Sequence, residues 1–451
     1  MTKSMLHVSL LSAASLTLLP SVTHAASFYI QEQSVSGMAT AFAGAVANTP
    51  DASTVFYNPA GMTELDRMEF YIGSNLLLPD ANYDDTGSTR ASTLGGGTVA
   101  ALGPASPNNP FDAAVVPNAF LAVPVLQDQL WFGLGITAPF GLTNEYDTDF
   151  IGRYNSSENE LTVIDVAPSL AYKVTPWLSI GGGVDIQYAN AKLENALPNP
   201  VLALQSTGTD GRADLSGDDI SAGYNIGLQL KPVEGSKVGL HYRTGISHTL
   251  EGRLITVLPT ALPGGLAGLS GVSLRSNGSA ELDLPNIASL GVSQKVGEKF
   301  TLLGSVNWYE WSNFDDIPIL TDANAVQAAS FRSVEQGYVN TWGIAIGGRY
   351  DANEKLQLKA GFQYDQTPTV DEFRSTRIPD GDRTWYAAGL TYAITEGISL
   401  DLSGMYVDVS KERVDITDET TYAPGVTTTN RTIGETDGSV AIISTGLRFR
   451  F

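Results

Sequence analysis

No cysteine occurs in the 451 residues, so neither a disulfide nor a thiolate stabilises the fold or carries chemistry. Basic residues are scarce, with 26 Lys and Arg against 48 Asp and Glu. That surplus of negative charge disfavours nucleic acid as a partner and argues against a basic helix lying on a membrane surface. Histidine is nearly missing too: of four, only His241 and His248 lie beyond residue 25. No serine is spaced around His241 as a nucleophile pair requires, and no His, Asp and Glu set has the spacing of a metal site. The chain is therefore read as neither an enzyme nor the holder of a metal or cofactor. After residue 25 no stretch stays apolar for the roughly 18 residues that a membrane helix needs, which excludes a helical membrane protein.

What is present begins with an export signal. Lys3 gives a basic start, Leu6 to Leu19 is mostly apolar, and Thr23-His24-Ala25 offers the small residues that a signal peptidase accepts. The apolar run ends at Pro20 and is too short to span a bilayer, so residues 1–25 are expected to be cleaved after Ala25. Loss of Lys3 leaves 25 basic against 48 acidic side chains, a net charge of −23.

The rest lacks linkers and helical periodicity, and from Asp66 onward it alternates with a period of two. Leu356, Leu358, Ala360, Phe362 and Tyr364 share one face, opposite Gln357, Lys359, Gly361, Gln363 and Asp365. Near the end Ala441, Ile443, Thr445, Leu447, Phe449 and Phe451 oppose Ile442, Ser444, Gly446, Arg448 and Arg450. Large apolar residues keep to one side, with Gly, Ser, Gln and single charges on the other. In a bilayer the apolar side must face lipid, because Lys or Arg at the midplane costs about 2–4 kcal/mol. Aromatics near strand ends (Tyr172, Trp177, Tyr350, Tyr364, Tyr406, Phe449, Phe451) suit interfacial girdles.

Strands are expected near 66–78, 112–126, 129–140, 161–173, 177–191, 218–231, 236–254, 280–296, 299–313, 337–351, 355–367, 384–395, 397–408 and 438–451. Links between them alternate short and long. Short ones include Val174-Thr175-Pro176, Gly297-Glu298 and Ala352-Asn353-Glu354, whereas long ones cover roughly 79–111, 141–160, 192–217, 255–279, 314–336, 368–383 and 409–437. Short turns on one side and long loops on the other mark an antiparallel transmembrane β-barrel, here with 14 strands over 66–451. A terminal Phe451 suits recognition by barrel-assembly machinery.

Residues 26–65 fit neither neighbour. They are rich in Ala, Gly, Ser and Thr, nearly uncharged, and contain Pro50 and Pro59, which bar a central strand. A barrel of this size is too wide for wall side chains to fill. This segment is expected to fold inside the bore as a hatch, and Phe28, Tyr29, Phe42, Phe56 and Tyr57 are too many aromatics for an unpacked tail.

Ser27-Phe28-Tyr29-Ile30-Gln31-Glu32-Gln33, Ser36-Gly37-Met38, Asn58-Pro59-Ala60-Gly61 and Gly133-Leu134-Gly135-Ile136-Thr137-Ala138-Pro139-Phe140 together resemble the FadL/TodX family of outer-membrane importers of long-chain fatty acids and hydrocarbons. The resemblance covers essentially the whole mature chain. It implies a hatch motif at Asn58, Pro59, Ala60 and Gly61, and a kink in the third strand at Gly133, Leu134 and Gly135 that opens the wall sideways. It also implies apolar capture among the outer loops. Two of these loops are unusually greasy, through Leu197, Val201, Leu202 and Leu204, and through Leu258, Leu262, Leu266 and Leu269; an exposed apolar patch usually marks a contact site. Family members hold a carboxylate with cations near the end of the fifth strand, where this chain keeps Lys192 but has Asn190 and Asn195; Arg243 is a second inward candidate.

The expected function is passive uptake of hydrophobic small molecules across the bacterial outer membrane. Long-chain fatty acids or related lipids lead, with neutral aromatic or aliphatic hydrocarbons, or a less selective porin, as alternatives. The expected surroundings are outer-membrane lipid and lipopolysaccharide, and the expected state is a monomer.

Overall fold

The computed structural model describes residues 27–95, 97–126, 129–201, 208–321 and 334–451. The export signal lies outside these. Fourteen antiparallel strands form the wall. They are β1 (Glu69–Asp85), β2 (Ala114–Leu126), β3 (Leu130–Glu145), β4 (Glu158–Thr175), β5 (Leu178–Leu197), β6 (Gly211–Leu230) and β7 (Ser236–Arg243 continued by Ser247–Val257). Then come β8 (Ser273–Asp283 continued by Ile287–Val296), β9 (Phe300–Tyr309), β10 (Thr341–Asp351), β11 (Leu356–Asp365), β12 (Arg383–Ala393), β13 (Ile398–Ala423) and β14 (Val426–Arg450). Each pairs with the next, and β1 pairs with β14 from Glu69↔Arg450 to Asp85↔Gly434, so the sheet closes on itself. Closure removes the free edges that lipid could not satisfy with hydrogen bonds.

Alternation sorts side chains as the sequence pattern requires. On β11, Leu358, Phe362 and Tyr364 are exposed while Lys359, Gln363 and Asp365 are buried. On β14, Ile443 is 61% exposed and its neighbours Ile442 and Ser444 are buried. A soluble protein of this shape would be turned inside out; a bilayer reverses which face is costly to expose.

The tops of the strands differ from expectation. Residues 409–437, expected as a loop, continue β13 and β14 as a tall hairpin beyond a bulge between Val409 and Glu412. The exposed apolar belt ends at Tyr406 on β13 and resumes at Ile443 on β14. Above the membrane neither face needs an oily residue for lipid, so the period-two signal disappears although the ladder continues. A short hairpin, Thr89–Ser92 with Thr98–Ala100, adds to the same edge through Thr89↔Arg431.

The N-terminal segment occupies the interior. A helical turn, Val35–Met38, is capped by the Ser34 side chain, and a 3-10 turn, Pro59–Glu64, is capped by Asn58. Pro59 stands first in that turn, where its missing N–H has no intrahelical partner to lose. Ala41 and Phe42 both hold left-handed backbone, at φ 49° and 58°. Such strain persists only where packing overdetermines it; the Phe42 ring stacks on Tyr57 and meets Trp385 edge-on.

Candidate functional site

An irregular segment in a bore carries backbone polar groups that no ladder satisfies. The inward polar positions of the wall serve them. Gln229 on β6 donates to the Ala47 carbonyl (2.7 Å), Arg243 on β7 to Phe56 (3.0 Å), Ser305 on β9 to Phe42 (3.3 Å) and Ser403 on β13 to Val35 (3.0 Å). Asn58, the expected hatch residue, uses both ends of its amide. Its Nδ2 donates to Val46 within the segment (2.7 Å) and to Leu228 in the wall (3.0 Å), and its Oδ1 accepts from the Ala60 N–H. Ala60 and Pro59 press so closely on Gly181 that a Cβ there would overlap their backbone, and Gly61 packs against Thr54 and Thr49.

The third strand is interrupted, at a different place from the expected one. Through Gly133, Leu134 and Gly135, β3 is paired without a break to both β2 and β4. These glycines make room instead: a Cβ on Gly133 would meet Val55 and Met62 at 2.6 Å, and one on Gly135 would touch Phe120. The register with β4 shifts between Thr137 and Phe140, so that two residues, Ala138 and Pro139, stand opposite one. Pairing with β2 stops at Ala119↔Ile136, although β2 runs on to Ala114 beside β1. From Thr137 to Leu142 every residue is buried and the alternation is lost, as befits a strand drawn into the bore. There it meets the N-terminal segment: Ile30 N–H donates to Pro139 (2.8 Å), Gly141 N–H to Phe28 (2.8 Å), and Tyr29 bridges Phe140.

Beside this contact lies a partly open cleft, lined almost wholly by hydrocarbon from Phe28, Leu161, Leu193, Leu215, Leu250 and Leu282, with Arg377 at one side. Phe28 is held by edge-on contacts with Trp311 and Phe314 at 5.0 and 5.1 Å between ring centres. Leu197 belongs to the same apolar cluster. Leu258 and Leu262 form a separate one with Tyr422 of the tall hairpin, against which Leu266 and Leu269 are half-buried. Asn199 ties the two greasy loops together by donating to Thr260 (2.6 Å), and Tyr422 ties the first of them to the tall hairpin by donating to Pro198 (2.5 Å). Val201 is half-exposed, while Leu202 and Leu204 lie outside the described residues.

Both expected head-group cations already have acids. Lys192 meets Glu158 at 2.5 Å and Glu194 at 3.9 Å. Arg243 is buried between Asp165 (3.1 Å) and Asp185 (2.7 Å), with its guanidinium 4.3 Å above the Phe56 ring. The sequence reading passed over Arg377. Its loop, 366–382, folds inward and buries Arg374 to Ile378. Three arginines (Arg374, Arg377, Arg383) close together in a chain poor in cations were the available signal.

Closed antiparallel wall, lipid-facing exterior and filled bore define an outer-membrane β-barrel transport protein. The chain belongs to the family of outer membrane protein transport proteins (OMPP1/FadL/TodX), whose model matches residues 16–451. It is 30% identical to Outer membrane protein P1 of Haemophilus influenzae over 430 residues, 89% of this chain and 90% of that one. It is 28% identical to the long-chain fatty acid transport protein of an Escherichia coli strain over 424 residues, 88% and 90% of the two chains. Among solved structures, a Pseudomonas aeruginosa FadL homologue matches with a TM-score of 0.81 and 26% identity, covering 94% of this chain and all of the other. The Ralstonia pickettii toluene transporter TbuX shares the fold at a TM-score of 0.64 and 19% identity, over 92% and 97% of the chains. The family is one of transport channels and not of enzymes.

Proposed function

We propose that this protein imports hydrophobic small molecules, long-chain fatty acids or related lipids first among them, without an energy source, and releases them sideways into the membrane. The observation that carries the reading is the unpaired stretch of wall between β2 and β3 above Ala119↔Ile136, next to a hydrocarbon-lined cleft. A greasy molecule leaving through the periplasmic end enters water, whereas one leaving through the wall never does. Each methylene kept from water is worth about 0.8 kcal/mol, so about ten favour the lateral route by on the order of 8 kcal/mol. The N-terminal segment serves as the hatch, and the outer loop gathers substrate through its half-exposed Leu266 and Leu269, Leu258 and Leu262 being packed beneath. Relatives named long-chain fatty acid transport protein support the choice of ligand.

Neutral hydrocarbons are the second reading, favoured by Lys192 and Arg243 being ion-paired already. The test joins the wall across the gap with a cysteine pair at Val116 and Pro139, in a chain that has no other cysteine. Growth on oleate or on an alkane should fall under oxidising conditions and recover on reduction. Uptake unchanged with the cross-link formed rules out lateral release.

A further inference from the structure

The wall has a second interruption, between β6 and β7. From the short-turn end their ladder runs unbroken to Asn225↔Arg243, and the Thr244 N–H adds one more bond to the Tyr224 carbonyl (3.0 Å). It resumes only at Asp218↔Glu251. Residues 219–223 of β6 and 245–250 of β7 therefore stay unpaired with each other, although β6 keeps its full ladder to β5 and β7 rejoins β8 at Ser247↔Asp283. The gap shares a register row with the first one. Ile136, where β2 leaves β3, pairs with Val166, Val166 with Ile186, and Ile186 with Ala222 in the middle of the open stretch. On the outer surface Ile220 and Tyr224 are exposed apolar side chains, whereas Asp218, Ser247, Thr249 and Glu251 are exposed polar ones. Such a change of character marks the outer interface of the bilayer. On the inner side Leu250 and Gly217, at the upper edge of the gap, line the hydrocarbon cleft.

Side chains rather than backbone close this gap. His248 on β7 lies 2.9 Å from Asp219 on β6 through Nδ1, and reaches Gln187 on β5 at 3.4 Å through Nε2. Ile246 covers the lower part by packing on Gly223, where a Cβ would lie 2.7 Å from its Cγ1. Rotation of two side chains frees such a closure, whereas parting a paired seam breaks several ladder bonds together.

We propose that this gap is a second lateral portal, through which a single-chain hydrophobic molecule dissolved in the outer leaflet reaches the cleft, with His248 and Asp219 as its clasp. The inference rests on the reading of the cleft as a transport site, and it adds an entrance from the membrane to the one from water. A molecule that has already partitioned into the leaflet is then collected without returning to solvent.

The test reconstitutes the protein in liposomes that hold a hexadecane analogue with a terminal diazirine, then maps photolabelling of Leu215 and Leu250 by mass spectrometry. His248→Ala should raise their labelling by about tenfold, the population shift that follows the loss of one charge-assisted hydrogen bond. Ile246→Ala should raise it as well, and decides the matter should the first variant fail to fold. Asp219→Cys with His248→Cys, joined by a short bifunctional thiol reagent, should label less than the same protein before joining. Labelling that stays at the wild-type level in the opened variants, or that ignores the join, overturns the portal. If it still falls when the cysteine pair at Val116 and Pro139 is joined, lateral passage at the first gap stands. A cleft that takes no label in any of these proteins overturns both readings.

Discussion

Gln33 and Ala138 exchange two hydrogen bonds: the Gln33 amide donates to the Ala138 carbonyl at 2.9 Å and accepts from the Ala138 N–H at 3.1 Å. A side chain thereby imitates an adjacent strand at the point where β2 no longer pairs with β3. Loss of it strands two buried backbone groups at about 1–3 kcal/mol each. Gln33→Ala should therefore weaken the seal, giving faster uptake of hydrophobic probes into whole cells and a lower urea midpoint for the folded barrel on gels. Unchanged uptake and midpoint would show that the pair is passive.

Glycines of the wall act as seats for the interior segment. A Cβ on Gly239 would run into the backbone of Val46, and one on Gly361 into that of Thr40. Gly239→Ala should dislodge the segment while the barrel still forms, read as larger single-channel conductance at unaltered heat-modifiable mobility. Gly404→Ala, on the lipid-facing side with only Ile442 O at 3.9 Å, is the control and should conduct as wild type does.

Arg448 joins the segment to the last strand. Its Nη2 lies 3.2 Å from Asp51 and 3.4 Å from Asp401. Arg448→Met leaves these two buried carboxylates with Lys359, 3.6 Å from Asp401, as their one remaining ion-pair partner among the described residues. The expected loss is roughly 3–5 kcal/mol, typical of breaking a buried pair on one side, measured as a shift of the urea unfolding midpoint. A midpoint within the scatter of wild type would refute the clamp.

Glu32 gives the bore a pH dependence. Both its carboxylate oxygens are buried without a partner, and burial pushes it up to about 8, which Arg383 offsets only in part. The folded state thus holds a proton that the unfolded chain releases near the ordinary carboxylate range. Its stability is greatest at low pH and falls as pH rises from about 4.5 through 8, by on the order of a few kcal/mol. Glu32→Gln should flatten that slope and raise the midpoint at pH 9. A wild type equally stable at pH 5 and 9 contradicts this.

Much of this was legible beforehand, for particular reasons. Ile443 beside Ser444, or Phe362 beside Gln363, announces which face meets lipid, because a bilayer penalises the wrong choice at every second residue. The composition of residues 26–65 likewise set them apart from the strands. Gly133 and Gly135 misled because a glycine in a strand serves equally for a bend and for a close approach, and only the position of Val55 and Met62 separates the two. The bend fell on Ala138 and Pro139, where proline lacks the N–H a ladder needs. Above Tyr406 the pattern fell silent since no solvent penalty enforces it. The pairing of Lys192 with Glu158 depends on the register of two consecutive strands, and the inward course of the Arg377 loop on packing, neither of which the period-two pattern specifies.

The seam between first and last strands bears on how the molecule holds together. Asp51 and Glu69 approach Arg448, two residues from the strand's end at Arg450. Sealing the cylinder and holding the buried segment therefore draw on the same few side chains, so a change at Arg448 loosens both at once. A barrel that closed without the segment would forfeit this latch and leave Arg448 without the Asp51 carboxylate.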